Sequence, residues 1–554
     1  MNDKNTMMKK MGDFQVKRLF VPLFFALMAG MIIHRYGVEQ YAVVTGVILV
    51  TVFAVFTVLT SLTVSSKTSN KASEKAVFGK SLTSKGFFLL IIVFFLLIGH
   101  QLYGQQFEKD PLSAFEGQPS IVLESYIERV QERELATDYE VFSQSLLVNG
   151  QEIPFREKQT LRIYGIDHGY KAGDRIKISS PRVEAVTPLK PNTPVTTLEA
   201  AIPEEREVSS YDLYLKSRGI HNRLQANPAD VELLSREGRY HEGFLAGNRW
   251  KAMEFLDRSL QEPQNQLMKS VLLGNQGFLE AELRETFAQT GTAHIIAVSG
   301  LHVGILVIIF TVLFKTLGLG KRLYLWLILG ILFLYGSLIG FPISMVRAGM
   351  MYGLYILAFY QHRPYDGLHA LGVVGVVSLL INPLTLFTVS FQLSFTATAS
   401  IILLYPKFEK GLVFLPKLIR GLVAVTLAAQ LGTLPLLAYY FGQISIISIV
   451  ANLLLMPSMG LLLSLGLAGI FISFIALPLG MTVNFFTNGL LTYQIALVRL
   501  FQKIPGAFIE IGKISFAWVI MYYIIMISLY LLFLRLSTAS HTAYHWRPST
   551  TSSK

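Results

Sequence analysis

Long apolar runs separated by short charged loops dominate both ends of the chain. Runs of about 20 apolar residues are long enough to cross a bilayer as helices. This pattern predicts a polytopic α-helical membrane protein with about thirteen spans. Three are expected in residues 1–103, near Phe20–Tyr36, Tyr41–Val64 and Phe87–Tyr103. The other ten are expected in residues 292–536, near 294–314, 323–341, 343–360, 368–381, 384–405, 419–440, 444–457, 461–478, 481–500 and 514–536.

The interval 444–480 has the least defined pattern, because Pro457 and Gly460 interrupt it and no charged residue fixes a side. We count it as two spans. One span followed by a re-entrant segment is the alternative. Residues 537–554 form a short polar tail.

Residues 104–190 change to short segments of alternating hydrophobicity, bounded by turn signals such as Asn149-Gly150 and Lys171–Asp174. This pattern predicts an inserted small β-barrel of the OB type, and a fragment of a β-sandwich is the alternative. The predicted strands are Ser120–Val130, Tyr139–Leu147, Thr160–Tyr164 and Arg175–Val183. Residues 191–291 read as a proline-rich linker and amphipathic helices, at Tyr211–Leu224, Arg249–Leu260 and Asn265–Thr290, the last of them broken at Gly274–Gly277.

The net charge of +12 is unevenly distributed along the chain. Residues 104–290 hold 22 basic and 29 acidic residues, whereas the remainder has a net charge of +19. Basic loops beside membrane spans mark the cytoplasmic side. We therefore expect a multi-pass protein of the cytoplasmic membrane, with its N-terminus inside, residues 104–290 extracytoplasmic and its C-terminus outside. The loops expected inside contain Lys315, Lys321, Arg322, Arg363, Lys407, Lys410, Lys417, Arg420, Arg499, Lys503 and Lys513.

Catalytic and metal chemistry find little support in the sequence. The chain has no cysteine, which excludes disulfides, thiolate metal sites and a cysteine nucleophile. His294 and His302 are eight residues apart, not at the i, i+4 spacing of a helical metal pair. Ser299 and His302 have a spacing suitable for a nucleophile and its base, but no carboxylate is placed to orient the histidine. We expect neither an enzyme nor a cofactor.

A few polar residues interrupt the predicted spans. They belong to several different spans, so together they are candidates for the lining of a polar conduit. For each one alone, hydrogen bonding between helices is the alternative, and for Arg347 it is snorkelling to the nearby surface. The candidates are His294, Ser299, His302, Arg347, Gln392, Ser394, Gln430 and Asn452.

Several of these residues fall within motifs that resemble the signature of the ComEC-type competence proteins, which are membrane channels for single-stranded DNA in natural transformation. Residues 272–275 and 294–302 carry the first motif, and the others follow in the family's order over about 264–500. They are Gly340–Ala348, Asn382-Pro383, Phe391–Phe395, Gln430–Pro435 and Asn452-Leu453 with Pro457. Tyr211–Ile220 resembles the end of the family's N-terminal OB-like domain.

The sequence departs from the family pattern at some points. Many members carry a C-terminal metallo-β-lactamase-like domain, and this sequence contains no H-x-H-x-D-H motif. Asn275 stands where an aspartate is expected, and the disulfide of some members cannot form here. The resemblance therefore implies a form without the nuclease-like domain.

The resemblance implies a channel that carries single-stranded DNA into the cytoplasm during the establishment of competence. Its partners would be an outer DNA receptor, a cytoplasmic helicase and a separate nuclease. Aromatic residues of the outer domain would stack on bases; the candidates are Tyr126, Tyr139, Phe142, Phe155 and Tyr164. Its basic residues would contact phosphates: Arg156, Lys158, Arg162, Lys171, Arg175 and Lys177. A small-solute or lipid-active transporter unrelated to DNA is the alternative, and a non-conducting DNA receptor is a third possibility.

Overall fold

The computed structural model describes residues 20–36, 95, 97–98, 121–132, 136–148, 151–164, 170, 174–185, 215–218, 220–235, 244–274, 279–512 and 514–544. The predicted second span, most of the third span, the Asn149-Gly150 turn, residues 171–173 and the proline-rich linker lie outside these ranges.

The first described domain is a seven-stranded sheet curled into a half-barrel. Its strands are β1 (Ile121–Glu132), β2 (Ala136–Val148), β3 (Gln151–Tyr164), β4 (Arg175–Ser179), β5 (Arg182–Ala185), β6 (Ile220–Ala226) and β7 (Val231–Ser235). They lie in the order β5-β6-β3-β2-β1-β4-β7, and only the β3–β6 pair is parallel. The sheet thus extends past residue 190, the predicted end of the β domain.

One face of this sheet forms the core of the β domain. Every second residue of β1 from Ile121 to Ile127 is buried there, as the alternating pattern predicts. Tyr139 is 1 % exposed and makes an edge-to-face contact with Tyr170, whose hydroxyl donates to the Val231 carbonyl at 2.8 Å. Burial raises the pKa of the Tyr170 phenol. Tyr139 is therefore a core residue, whereas Tyr126, Phe142 and Tyr164 are more exposed; the side chain of Phe155 lies outside the described residues.

The helix predicted over Tyr211–Leu224 is wrong in its second half. Residues 215–217 are helical, but Ile220–Ala226 form strand β6. This strand pairs with β3 on one side and β5 on the other, and it buries Ile220 and Leu224. Pairing with distant strands therefore overrides the local helical pattern.

The remaining described elements are mostly helices. An N-terminal helix, α1 (Phe20–Tyr36), coincides with the first predicted span. Between the sheet and the large bundle lie α2 (Phe244–Ser259), α3 (Gln264–Leu273), α4 (Ala281–Gln289) and α5 (Ala293–Ile296). The helix bundle comprises α6 (Gly300–Thr316), α7 (Lys321–Ile339), α8 (Ile343–Tyr360), α9 (Gly367–Ile381), α10 (Val389–Gly411), α11 (Lys417–Phe441), α12 (Ser448–Ser473), α13 (Leu477–Gln502) and α14 (Phe516–Tyr544).

Five described helices are long and apolar enough to cross a membrane, namely α7, α8, α10, α11 and α12. Shorter apolar segments lie in α1, α6, α9 and α14. Several apolar helices of membrane-spanning character are therefore present. The helix α14 continues to Tyr544, into the segment predicted as a polar tail.

Short turns join consecutive helices, so the bundle has two ends. One end, the sheet end, contains Ser299, Pro342, Asn382 and Gly442; the other, the basic end, contains Lys315, Lys321, Arg363, Lys410 and Arg420. Asn382 Nδ2 donates to the Ser217 carbonyl at 2.7 Å, which places the β domain beside the first of these ends.

The division of 444–480 into two spans is wrong. A single 26-residue helix, α12, runs through Pro457, and α13 returns antiparallel to it. Strand β8 (Gln443–Ser445), before α12, pairs with β9 (Phe508–Glu510), after α13. Both strands therefore lie at the sheet end. Lys503, between α13 and β9, lies there too, although the charge pattern predicted it on the same side as Arg420. With one helix fewer, α14 runs from the sheet end to the basic end, where Tyr530 contacts Lys407.

This arrangement predicts opposite accessibility for two exposed lysines, Lys410 and Lys503, in a chain that has no native cysteine. Replaced singly by cysteine, they should react with a membrane-impermeant maleimide from opposite sides of the membrane. Lys503→Cys should label from the side of the β domain and Lys410→Cys from the other side. Labelling of both from one side would contradict the single-helix assignment of α12.

The helices α2–α4 pack along the α12–α13 hairpin. Their buried side chains include Leu267 and Met268, which share a core with Leu455 and Met459 of α12. Polar contacts accompany this packing: Asn484 donates to the Ser259 hydroxyl at 2.7 Å. The amphipathic pattern of residues 244–289 is thus explained by burial of one face against this hairpin.

Candidate functional site

The stretch that contains His294, Ser299 and His302 is not one continuous helix, as the predicted span 294–314 requires. The short helix α5 ends at Ile296, the backbone is extended at Ala297 and Ser299, and α6 begins at Gly300. His302 accepts a hydrogen bond from the Ser299 N–H at 3.3 Å, and its Nδ1 lies 3.1 Å from Ser299 Oγ. This is a capping interaction at a helix start. Because the helix is interrupted here, the angles between His294, Ser299 and His302 are not those of the single continuous helix assumed from the sequence.

In the described part of the chain, no third side chain hydrogen-bonds to His302 to orient it as a catalytic base. His302 is fully buried, and its Nε2 has no hydrogen-bond partner in the described part of the chain. Among described residues there is also no group of three or more metal-ligating side chains. His294 lies in α5 and is half-buried. The contact between Ser299 and His302 is thus accounted for by the start of α6.

Arg347 lies in the second turn of α8 and is only 7 % exposed. Its Nη2 lies 3.0 Å from the position that a Cβ atom on Gly300 would occupy, so the guanidinium rests against the first residue of α6. On another side, it lies 6.0 Å from the ring centre of Phe395 in α10. Three helices that start at the sheet end, α6, α8 and α10, therefore converge on one buried cation.

Phe395, which lies against Arg347, and Phe391, which stacks on Phe395, were missed as site residues, although they fall within a motif. Phe391 and Phe395 stack with their ring centres 4.1 Å apart, and Phe24 of α1 stacks on Phe395 at 5.8 Å. The available signal was the i, i+4 spacing of two aromatic residues, which places them on one helix face. Gly300 was missed for a different reason, because its contact with Arg347 joins two distant segments.

Gln392 and Gln430 connect helices through their side chains. The Tyr440 hydroxyl donates to Gln392 Oε1 at 2.8 Å, which links α10 to α11. Gln430 Nε2 donates to the Ser445 carbonyl at 3.1 Å, and its Oε1 accepts from Ser448 Oγ at 3.0 Å. These contacts are hydrogen bonds that tie neighbouring elements of the bundle together. For Gln392 and Gln430, they match the alternative to conduit lining, which is hydrogen bonding between helices.

One polar atom each of Ser394 and Asn452 forms no such hydrogen bond in the described part of the chain. Ser394 Oγ and Asn452 Oδ1 are buried without a partner among the described residues, and Asn452 is 5 % exposed. The structure brings Arg347, Phe395 and Gly300 together, but no hydrogen bond in the described ranges joins Arg347 to Gln430 or Asn452. The lining of a conduit by all eight candidates stays a prediction.

In the β domain, the strand register places four candidate residues in a row across the sheet. Arg175 is opposite Tyr126, Tyr126 is opposite Phe142, and Phe142 is opposite Lys158. Directly paired residues lie on the same face, and this is the face opposite the core. We call these four residues the cross-strand row: two half-buried aromatic rings flanked by two cations.

Several basic candidates of the β domain lie beside acidic residues of the same sheet. Arg162 forms a bidentate ion pair with Asp138: its Nε donates to Oδ1 at 2.7 Å and its Nη2 to Oδ2 at 3.0 Å. Asp138 is only 3 % exposed. Arg175 binds Glu124 at 2.6 Å and lies 5.8 Å from the ring centre of Tyr126; Lys177 is opposite Glu124 in the register. The side chain of Arg156 and all of Lys171 lie outside the described residues.

The segment 215–218 connects the face that carries the cross-strand row to the helix bundle. Arg218 Nη1 binds Glu140 Oε1 at 2.8 Å, and the preceding residue, Ser217, accepts the hydrogen bond from Asn382. Glu140 and Phe142 are on the same face of β2 because they are two residues apart. Phe142, a member of the cross-strand row, therefore lies near the segment that contacts the sheet end of the bundle.

Comparison with known proteins identifies the bundle. Residues 271–536 match the family model described as competence protein. This segment belongs to the competence protein family. The resemblance found in the sequence is thereby confirmed, and the break before α6, Arg347 and the Phe391–Phe395 stack are features of the competence segment.

Two curated relatives support this assignment. The chain is 34 % identical over 205 residues to ComE operon protein 3 of Bacillus subtilis, covering 37 % of this chain and 26 % of that protein. It is 28 % identical over 260 residues to Recombination protein 2 of Haemophilus influenzae, covering 43 % of this chain and 31 % of that protein. The matches thus span about a quarter to a third of these two relatives. No solved structure matches the chain.

Proposed function

We propose that this protein conducts single-stranded DNA through the cytoplasmic membrane during natural transformation. The cross-strand row beside a competence-family bundle is the observation that carries this proposal. Single-stranded DNA is bound by aromatic side chains that stack on bases and by cations that contact the backbone. Tyr126 and Phe142 offer two rings for stacking, and Arg175 and Lys158 offer a positive charge on each side of them.

The charge distribution sets the direction of transport in this proposal. The basic end of the bundle faces the cytoplasm, since basic loops are retained there. The β domain, which takes the part of an OB-like domain, is then extracytoplasmic and receives the strand first. With α12 as one helix and the three predicted N-terminal spans retained, the chain crosses the membrane about twelve times and both termini face the cytoplasm.

The proposed route passes from the cross-strand row to the Ser217–Asn382 contact and then to the sheet end of the bundle. Inside the bundle, Arg347 and the stacked phenylalanines are the first groups of matching chemistry. The protein acts as a conduit and not as an enzyme in this proposal. An outer DNA receptor, a cytoplasmic helicase that supplies energy and a separate nuclease complete the system.

Uptake of labelled DNA by a transformable host tests this function. A strain that lacks the protein should bind labelled double-stranded DNA at its surface but accumulate no DNase-protected single strands. The full chain, expressed in that strain, should restore the protected fraction. Protected single strands at the wild-type level in the deletion strain would refute the proposal.

A further inference from the structure

We propose that Arg347 and the first turn of α6 form a binding site for one phosphate group. The site lies at the sheet end of the bundle, where the guanidinium rests against Gly300. The inference rests on the proposed function in one respect, because the phosphodiester of a passing DNA strand is the ligand it favours. The chemistry itself requires only a phosphate oxyanion.

The first step is the charge of Arg347, which has no anionic partner in the described part of the chain. No described residue accepts a hydrogen bond from its buried Nε, and its side chain is 7 % exposed. Between residues 292 and 536 the sequence has only three acidic residues. Asp366 and Glu409 are at the basic end, and Glu510, in β9, forms no ion pair with Arg347 among the described residues. A desolvated charge is unfavourable unless it is paired.

The second step is the start of α6, which adds donors at the same place. The N–H groups of Gly300 and Leu301 have no acceptor within the described residues. A helix start carries partial positive charge and free N–H groups, and it binds anions for both reasons. Here the helix start and a buried guanidinium meet, so two cationic features converge on one position.

The third step is the absence of a side chain at Gly300. A Cβ atom at this position would lie 3.0 Å from Arg347 Nη2, so the guanidinium would have to shift away from the helix start by a few tenths of an ångström. Phe395, whose ring centre is 6.0 Å from Arg347 Cζ, covers another side of the cation. Arginine is suited to this arrangement, because its planar fork makes two parallel hydrogen bonds to a phosphate.

Gly304 supplies a matched control on the same helix. It is one turn further along α6, and a Cβ atom there meets no atom within 4 Å. Alanine also favours a helix over glycine. Gly300→Ala and Gly304→Ala are therefore both compatible with the fold, but only the first crowds the proposed site.

The test measures equilibrium binding of radiolabelled inorganic phosphate to the full-length protein in nanodiscs made of neutral lipid. Wild type and Gly304→Ala should bind phosphate equally. Gly300→Ala and Arg347→Gln should bind it about tenfold more weakly, the effect of losing a charged hydrogen bond. Equal binding by wild type and Gly300→Ala, or no binding by wild type, would overturn the proposal.

Competition identifies the source of the phosphate. Displacement of the label by oligo(dT) points to nucleic acid, whereas displacement by phosphatidylglycerol added to the nanodiscs points to a lipid headgroup; either result upholds a phosphate site. The outcome is also separable from the proposed function. Phosphate binding by a protein that does not restore DNA uptake would support the site and refute the conduit. Restored DNA uptake by a protein that does not bind phosphate would support the conduit and refute the site.

Discussion

Replacing Tyr126 and Phe142 together by alanine is expected to weaken binding of a short oligo(dT) by about thirtyfold or more. Stacking of a base on an aromatic side chain contributes about 1–3 kcal/mol per base, and each 1.4 kcal/mol changes affinity about tenfold. The two rings are opposite each other in the strand register, so one strand of DNA can use both. Fluorescence anisotropy of labelled oligo(dT) with the full-length protein in detergent measures the effect.

Tyr164 provides the control for this double variant. It is 51 % exposed and lies on β3, six residues from Lys158, so it is on the same face but outside the cross-strand row. Tyr164→Ala should leave oligo(dT) affinity within about twofold of wild type, because it removes no ring from the row. A loss of affinity in Tyr164→Ala as large as in the double variant would show that binding is not organised by the row.

A second large effect is expected for Arg347→Gln in cells. The variant should lower the DNase-protected fraction of labelled DNA by about ten- to hundredfold, the effect of losing about 1.5–3 kcal/mol from a charged hydrogen bond. DNA bound at the cell surface should be unchanged, since the cross-strand row is intact. Arg347→Lys should give an intermediate value, because lysine keeps the charge but not the two-pronged geometry.

The interpretation of Arg347→Gln depends on the amount of protein in the membrane. Immunoblots of membrane fractions should show equal levels of wild type, Arg347→Gln and Gly304→Ala, and Gly304→Ala should take up DNA normally. Normal uptake by an Arg347→Gln protein that is present at the wild-type level would remove Arg347 from the route. The α8 residue would then have a structural role against Phe395 alone.

The helices of the bundle were largely predictable because hydrophobic runs between charged loops are a local signal. The bounds of α7, α8, α9 and α11 agree with the predicted spans to within a few residues. Local signals failed where distant segments decide the structure. Strand β6 forms because β3 and β5 hold it, and α12 is one helix although Pro457 interrupts its pattern.

The candidate site was predictable in its residue types but not in its arrangement. The sequence identified Arg347, Lys158 and Arg175 as candidates because their positive charges could contact phosphate groups. That Arg347 rests on Gly300, 47 positions earlier in the chain, follows only from the packing of α8 against α6. Similarly, the cross-strand row depends on the register of four strands, including β4, which is far from β3 in the order of the sheet.

Translocation by the purified protein is the measurement that tests the central claim most directly. The full chain, reconstituted into liposomes that enclose a fluorescent oligonucleotide trap, would be offered complementary single-stranded DNA from outside, with nuclease added afterwards. Protein-dependent, nuclease-protected hybridisation that is lost in Arg347→Gln is the result that a DNA conduit predicts. Equal hybridisation in liposomes with and without the protein, when its oligo(dT) binding is intact, would contradict the conduit and leave a DNA-binding membrane protein.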